Sequence, residues 1–361
     1  MSALATQALA EGALGAALLH IERAELAAAR PLLQEAVAGG VSTGFNASLY
    51  HGAPALEFVL GRAGRVDREV QAGVDRVVAA RLAAARRRRL ARRLPTLAEF
   101  DLIRGLTGLG ALLLARPDPS PLLEDVLSHL VSLACPVEAE GRMLPGWWSP
   151  DSPTHEVDIP GGHGNNGIAH GIAGPLALLS LAARLGIRVD GQSSAVTTFA
   201  TWLEQFGSSY WITLDHLTAD EPSQVPALRP SWCYGDLGIA RTLQLAALAH
   251  CDPARGQRAE EIALAALADS DRLDRVSDAS LCHGWAGLLT VTTALAADSA
   301  TPDRFTTSIQ HARRRLAAGI NELSKPGFLE GRAGAQLALD GSNATGWTCA
   351  LLIHCPPRRT T

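Results

Sequence analysis

A glycine motif that recurs seven times limits how this chain can fold more than any other feature. Each copy has two glycines three residues apart, except the second, which has Ala55 in the later position, and each leads into an apolar run with helical periodicity. The first glycines of the seven copies are Gly12, Gly52, Gly105, Gly171, Gly235, Gly284 and Gly331. They are separated by 40 residues (Gly12 to Gly52) to 66 residues (Gly105 to Gly171). Two helices of ~11 residues and two loops fit such a step, so the sequence predicts seven helical hairpins.

Composition favours a helical fold that closes on itself. Of the 361 residues, 47% are hydrophobic and only 5% are aromatic, and the abundance of alanine and leucine favours helices over strands. A row of helical hairpins leaves apolar faces exposed at both ends unless it is capped or forms a ring. We therefore predict one all-α domain over residues 1–361, an α/α toroid of seven inner and seven outer helices.

The two glycines of each motif have separate predicted tasks. The first lets the loop enter the helix with an unusual backbone dihedral, and the second lets neighbouring inner helices pack closely. Inner helices that run in the same direction place the positive ends of their macrodipoles around one mouth of the ring. That mouth would favour thiolates and developing oxyanions.

Two of the seven copies carry side chains that bind soft metals. Cys233 and Cys282 each lie two residues before the first glycine of a motif, and His283 follows the second of them. Two thiolates and one imidazole are the ligand count of a catalytic zinc that keeps its fourth position open. A lone cysteine is usually a small buried hydrophobe. Because both cysteines occupy the same motif position, we predict that Cys233, Cys282 and His283 bind one Zn²⁺ per chain.

The other four cysteines are predicted to be ordinary side chains. Six cysteines in a large helical chain form no pattern typical of a disulfide framework, so Cys135, Cys251, Cys349 and Cys355 receive no special role. The amino-terminal stretch lacks the pattern of a signal peptide, and no apolar run is long enough to span a membrane. We expect a cytoplasmic protein without membrane insertion, and its net charge of −4 gives no attraction to nucleic acid.

An arginine-rich stretch departs from the repeat. Residues 81–93 include four consecutive arginines, 86–89, and two more at 92 and 93, on a background compatible with a helix. The stretch is either a solvated outer-helix face or a docking patch for an acidic peptide segment or a partner enzyme. The sequence leaves both interpretations open.

Residues 116–164 form the second departure. They are rich in proline, glycine and serine and include Trp147 and Trp148, so we predict a loop or small insertion near the mouth. The two tryptophans either face solvent, where they would contact a peptide, or form a buried pair. His163 is expected to be exposed on this loop.

Together these motifs resemble those of the LanC family of lanthionine synthetase cyclases. The resemblance is carried by Asn166-Gly167-Ile168-Ala169-His170-Gly171, by Trp232-Cys233-Tyr234-Gly235 and by Cys282-His283-Gly284 with Gly287, and it extends from Gly12 to about Leu339. It implies an α/α toroid with one zinc on the two cysteines and the histidine already singled out. It also implies a reaction in which a peptide cysteine thiol adds to a dehydroalanine or dehydrobutyrine. The substrate would be a dehydrated precursor peptide, supplied by a separate dehydratase partner.

Four further residues match positions in the family's active site. The resemblance implies that His170 protonates the enolate or takes the thiol proton, a task suited to the titration range of histidine. Asp101 would orient that histidine. Arg229 and Tyr234 would hold the enolate oxygen or the peptide backbone.

The chain also departs from the family pattern. The spacing between the third and fourth motifs leaves little room for the small SH2-like insertion of some members, and no kinase or lyase segment precedes the first motif. We therefore expect a stand-alone cyclase. Two alternatives remain open: addition of a small thiol such as glutathione to dehydroamino acids, and a non-catalytic peptide-binding scaffold.

Overall fold

Helices account for most of the chain in the computed structural model, which describes residues 6–118, 120–152, 159–218 and 229–356. In chain order the α-helices are α1 (Ala13–Glu22), α2 (Leu26–Val37), α3 (Ala53–Arg62), α4 (Arg68–Leu90), α5 (Leu97–Phe100), α6 (Leu106–Leu114), α7 (Pro121–Ser132), α8 (Ala173–Arg184), α9 (Gln192–Phe206), α10 (Leu214–Thr218), α11 (Asp236–His250), α12 (Pro253–Ala268), α13 (Ser270–Leu273), α14 (Trp285–Ala297), α15 (Thr306–Gly319) and α16 (Arg332–Asp340). Among these described helices, none is both long and apolar enough to cross a bilayer.

Seven of these helices form a closed inner ring. Helices α1, α3, α6, α8, α11, α14 and α16 begin at the seven glycine motifs. Each contacts the next one along the chain, and α16 contacts α1. Their apolar faces supply most of the core, which is continuous around the ring. The predicted all-α toroid is therefore confirmed.

Outer helices pack against six of the inner helices. Helices α2, α4, α7, α9, α12 and α15 each follow an inner helix and contact it. After α16 the described residues form no seventh long outer helix, which differs from the predicted count of seven. The chain instead makes a short 3-10 turn, Trp347–Leu351, that contacts inner helix α6.

The glycines are needed chiefly for close backbone approach, and the dihedral predicted for the first glycines occurs at only two of them. A Cβ on Gly108 would lie 2.1 Å from the carbonyl oxygen of Leu102, and the second glycine of every other motif that has one meets the carbonyl six residues before it. The crowding thus comes from the motif's own loop and not chiefly from a neighbouring helix. Of the first glycines, only Gly52 and Gly235 have positive φ.

The segment after α16 lies inside the ring. The hydroxyl of Tyr50 donates to the carbonyl oxygen of Ala350 at 2.7 Å, and the indole of Trp232 donates to that of Leu351 at 3.0 Å. Cys349 and Cys355 form a disulfide across this segment. The sequence pattern gave these two cysteines no special role, and the disulfide corrects that prediction, because the turn folds back and brings them together.

Residues 116–164 contain regular structure. Helix α7 lies within them, and strands β1 (Val137–Ala139) and β2 (Arg142–Leu144) form an antiparallel hairpin. Strand β3 (His163–Asn165) pairs with β4 (Trp211–Thr213). Trp147 and Trp148 are buried, and Trp147 packs edge-on against Phe199 and Trp202. The tryptophans are thus a buried pair and not an exposed contact surface.

Candidate metal centre and active site

Backbone hydrogen bonds join the motif loops at the mouth of the ring. They link the third loop to the fourth, the fourth to the fifth, the fifth to the sixth, the sixth to the seventh and the seventh to the first. The donor and acceptor pairs are Leu102 N to Ala169 O, Ile168 N to Cys233 O, Cys233 N to Cys282 O, Cys282 N to Leu329 O and Leu329 N to Ala10 O, at 2.8 to 3.1 Å. Because the fifth and sixth loops are joined through Cys233 and Cys282 themselves, the two cysteines are neighbours.

The three predicted metal ligands converge at this junction. Ligand atoms of Cys233, Cys282 and His283 all lie within 4.8 Å of one another. Tetrahedral zinc with sulfur at ~2.3 Å separates its ligands by about 3.8 Å, so small side-chain adjustments are enough to fit the ion. The cluster offers three protein ligands among the described residues, which is the number that leaves one position for another group.

Asp278 is a residue of this site that the sequence interpretation missed. Its Oδ2 lies 2.9 Å from Nε2 of His283, and its Oδ1 accepts from the backbone N–H of Ser280 at 2.7 Å. The contact with Asp278 raises the pKa of His283 to about 9, with a smaller contribution from Cys233. Burial raises the pKa of the Asp278 carboxyl, but the hydrogen bonds from His283 and Ser280 and the charge of His283 together outweigh it and hold that pKa below its usual range. The one available signal was an acidic residue in the same motif loop, five positions before the histidine.

The two thiols share one hydrogen bond. The Cys282 thiol donates to Cys233, which with a further contribution from His283 lowers the pKa of Cys233 despite its burial. The same hydrogen bond and burial raise the pKa of Cys282. The low pKa of Cys233 favours its thiolate form, which is the form that binds a metal. Two cysteine sulfurs beside a histidine are a donor set that suits zinc.

A histidine–carboxylate pair lies beside the candidate metal centre. Nδ1 of His170 is 2.7 Å from Oδ2 of Asp101, which is fully buried. The other carboxylate oxygen of Asp101 accepts from the backbone N–H groups of Arg104 and Gly105 at 2.6 and 2.8 Å. With Nδ1 held by the carboxylate, Nε2 is the nitrogen that remains for proton exchange. The His170 side chain is 30% exposed, so it reaches the solvent-accessible mouth.

Tyr234 joins the histidine to a buried amide. Its ring stacks on that of His170 with centroids 6.3 Å apart, and burial raises the pKa of its phenol well above the usual range. Nδ2 of Asn165 donates to the Tyr234 hydroxyl at 2.9 Å, while Oδ1 of Asn165 accepts from the backbone of Gly167 at 3.1 Å. The backbone contact fixes which way the amide points. The hydroxyl therefore accepts from Asn165 and keeps its own proton for another acceptor.

The sequence suggested that His163 lies on an exposed loop, and this prediction was wrong. It is fully buried on strand β3, and its Nε2 lies 3.3 Å from Nδ2 of Asn165. Burial lowers the pKa of His163 to about 4. The imidazole thus supports Asn165 as a neutral group behind Tyr234.

Comparison with known proteins identifies the family. The model of the family described as "Lanthionine synthetase C-like protein" matches residues 7–352, nearly the whole chain. This chain belongs to the lanthionine synthetase C-like family. The family predicted from the motifs is therefore confirmed.

Sequence and structure comparisons of this LanC-like protein agree with that membership. It is 26% identical over 280 residues to the nisin biosynthesis protein NisC of Lactococcus lactis subsp. lactis, an alignment covering 71% of this chain. The chain spans just under two thirds, 64%, of the length of that relative. A solved structure of nisin cyclase superposes with a TM-score of 0.79 at 23% identity, covering 97% of this chain and 93% of that one. The superposition supports the toroid fold.

All seven predicted site residues of the LanC-like chain lie at one mouth of the ring. Six of them form the two groups described above, with Tyr234 adjacent in sequence to Cys233 and stacked on His170. Arg229 is half-buried beside them. The hydrogen bond with Cys233 raises the pKa of the Cys282 thiol, and the nearby charge of Arg229 opposes that rise. The individual roles of the seven site residues stay predictions.

Proposed function

We propose that this protein is a zinc-dependent lanthipeptide cyclase. The reaction would add peptide cysteine thiols to dehydroalanine or dehydrobutyrine and so form lanthionine or methyllanthionine rings. The observation that carries the proposal is the convergence of Cys233, Cys282 and His283 within 4.8 Å at the mouth of a ring that a peptide can approach. Membership of the LanC-like family supports it, as does the likeness to a nisin biosynthesis protein.

The donor set fits zinc better than a hard cation. Two thiols and an imidazole are soft or borderline ligands, whereas magnesium and calcium require oxygen. Asp278 contacts Nε2 of His283, which leaves Nδ1 of the same ring for the ion. A carboxylate on the second ring nitrogen is common around zinc-binding histidines. When bound here, zinc would supply a positive charge that lowers the pKa of a substrate thiol from its ordinary ~8.5.

His170 would carry the proton that the reaction moves. Addition transfers one proton overall: the thiol loses it, a carbon–sulfur bond forms at the β-carbon of the dehydro residue, and the α-carbon gains it. Asp101 holds Nδ1 of His170, and Nε2 has no hydrogen-bond partner in the described part of the chain, so one imidazole can accept the thiol proton and deliver it to the α-carbon. The buried Asp101 stabilises the imidazolium between the two transfers.

Tyr234 and Arg229 would stabilise the enolate that exists between those steps. As carbon–sulfur bond formation proceeds, negative charge develops on the carbonyl oxygen of the dehydro residue. The Tyr234 hydroxyl accepts from Asn165 and can donate its own proton toward that oxygen. Arg229 adds a positive charge beside Cys282. The substrate would be a dehydrated precursor peptide, prepared by a separate dehydratase.

A synthetic peptide with one dehydroalanine and one cysteine tests the proposal. We expect the zinc-loaded protein to remove the free thiol, measured by alkylation and mass spectrometry, at least 100-fold faster than the uncatalysed rate. Cys282→Ala should lose both this rate and the bound zinc. Cys251→Ala is the matched control, because Cys251 is an exposed free cysteine. A Cys282→Ala variant that cyclises as fast as the parent would show that the mechanism is wrong.

A further inference from the structure

Helix α4 is much longer than the other outer helices. It has 23 residues, against 12 to 16 for α2, α7, α9, α12 and α15. At 1.5 Å per residue it extends about 34 Å, roughly two turns beyond the longest of them. Only five residues separate it from inner helix α3, so its start is fixed at the carboxyl ends of the inner helices. Because outer helices run back toward the mouth, the extra turns extend at the mouth.

The extra turns carry arginines without acidic partners. The last buried residue of α4 is Ala85. Beyond it the exposed arginines are Arg86, Arg87, Arg89, Arg92 and Arg93. None of these five forms an ion pair with a carboxylate in the described part of the chain. A helix macrodipole favours basic side chains only within the last turn, and Arg92 and Arg93 lie beyond the end of α4, so the macrodipole does not account for the whole cluster.

Arg88 fixes this end of the helix next to the proposed active site. Unlike its neighbours it is largely buried, and its guanidinium pairs with the carboxylate of Glu99 at 2.6 and 3.2 Å. Glu99 lies on α5, two residues before Asp101, which holds His170. The arginine end of α4 is therefore on the rim of the mouth where the candidate site opens.

A groove runs beside these arginines. Its volume is about 330 Å³, and it lies between Arg89, Arg92 and Arg93 on one side and the β1–β2 hairpin on the other. Met143 of the hairpin is 64% exposed in this groove. The hairpin wall also carries the exposed Glu138, so only the arginine wall attracts acidic side chains. A groove with one basic wall and the apolar Met143 opposite it suits an extended peptide that carries both acidic and apolar side chains.

We infer that the arginine rim, formed by Arg86, Arg87, Arg89, Arg92 and Arg93, docks an acidic segment of a peptide substrate. The inference rests on the proposed function, because the docked peptide is the one to be cyclised. Guanidinium groups bind carboxylates through two parallel hydrogen bonds, so several adjacent arginines select an acidic segment over a neutral one. A segment held on the rim would raise the local concentration of the attached cysteines and dehydro residues at the mouth.

Fluorescence anisotropy with a labelled probe tests the inference without any chemistry. The probe is a ten-residue peptide with five Asp or Glu residues among apolar ones and no cysteine. We expect it to bind the parent protein at low salt and to weaken as salt is added. The triple variant R89E/R92E/R93E should weaken binding at least tenfold. The matched control R65E/R68E/R76E makes the same change in charge at exposed positions toward the other end of α4 and should bind like the parent.

Further arms separate docking at the rim from a general attraction between opposite charges. The variant R89K/R92K/R93K keeps the charge but cannot form the paired guanidinium–carboxylate hydrogen bonds, so it should bind more weakly than the parent and more tightly than R89E/R92E/R93E. Far-ultraviolet circular dichroism checks that every variant is folded. Equal binding by the two charge-reversal variants, or by a probe with Gln and Asn in place of the acids, would overturn the inference. So would stronger competition by a ten-nucleotide oligothymidine than by unlabelled probe. Cyclisation without probe binding defeats the docking inference alone, whereas probe binding without cyclisation defeats only the proposed function.

Discussion

Asp278 Oδ2 lies 2.9 Å from Nε2 of His283, and this contact leaves Nδ1 as the ring nitrogen available to an ion beside Cys233 and Cys282. The carboxylate is itself held by the backbone N–H of Ser280. His283, the predicted ligand, is therefore oriented by its own motif loop. A carboxylate in this position fixes the tautomer of the imidazole and makes its free nitrogen a stronger ligand.

The variant Asp278→Asn should bind zinc about 10- to 100-fold more weakly than the parent. Asparagine can still accept from Ser280 through its oxygen, but its amide group presents no negative charge to His283. Competition with a chromophoric chelator measures the dissociation constant. The matched control is Asp271→Asn, an exposed aspartate on α13. An unchanged zinc affinity in Asp278→Asn would mean that this carboxylate has no part in the metal centre.

The variant Asp101→Asn should slow cyclisation by about 100-fold or more while zinc content stays at the parental level. The asparagine oxygen can keep the backbone hydrogen bonds from Arg104 and Gly105, which places its NH₂ group toward His170. Nδ1 would then have to accept, and Nε2 would carry the proton in the neutral ring, the wrong tautomer for a base. Thiol loss from a dehydrated peptide measures the rate, with Asp125→Asn on the exposed face of α7 as control. Parental activity would exclude a positioning role for Asp101.

The variant Tyr234→Phe should lower the cyclisation rate by about 100-fold, because it removes a hydrogen-bond donor aimed at developing negative charge. Zinc binding should be unaffected, since the phenol is not among the ligands. Tyr50→Phe is the matched control: its hydroxyl donates to Ala350 inside the ring, so its loss should cost about 1 kcal/mol of unfolding free energy and leave the rate unchanged. A full rate in Tyr234→Phe would assign enolate stabilisation to other groups.

The repeat explains why so much of the site was predictable from sequence. Residues at the same position of successive motifs occupy equivalent positions in successive loops, and these loops are hydrogen-bonded to one another. Cys233 and Cys282 are two residues before their glycines, so a closed ring necessarily brings them side by side. The glycine pattern likewise predicted where each inner helix begins, although the reason for the glycines is contact with their own loops.

Contacts made outside the repeat were not predictable in the same way. Asn165 reaches Tyr234 across 69 residues, and no periodicity relates the two positions. The segment that fills the ring is held through the carbonyl oxygens of Ala350, Leu351 and Ile353, which any sequence would provide. The Cys349–Cys355 disulfide depends on that turn. For these long-range contacts, the backbone acceptor leaves no mark in the sequence that would identify it.

His163 should make the protein less stable in mild acid. Burial holds its pKa at about 4 in the folded state, whereas an unfolded histidine titrates near 6.5. The unfolded state therefore binds a proton as the pH falls below about 6.5, and the folded state does not until about 4. Stability from this group is complete above pH 6.5 and is lost progressively as the pH falls toward 4.

Between pH 7.5 and pH 5.0 this difference amounts to about 2 kcal/mol of unfolding free energy. Replacing the imidazole by a side chain that does not titrate should remove it, so the loss of stability over that interval should be about 2 kcal/mol smaller in His163→Gln than in the parent. Urea unfolding at the two pH values measures it, with a chelator present throughout so that zinc release does not contribute. His20→Gln is the matched control, because His20 lies at the surface and pairs with Glu25. If His163→Gln and the parent lost stability in parallel, the buried imidazole would have to be protonated in the folded state as readily as in the unfolded one.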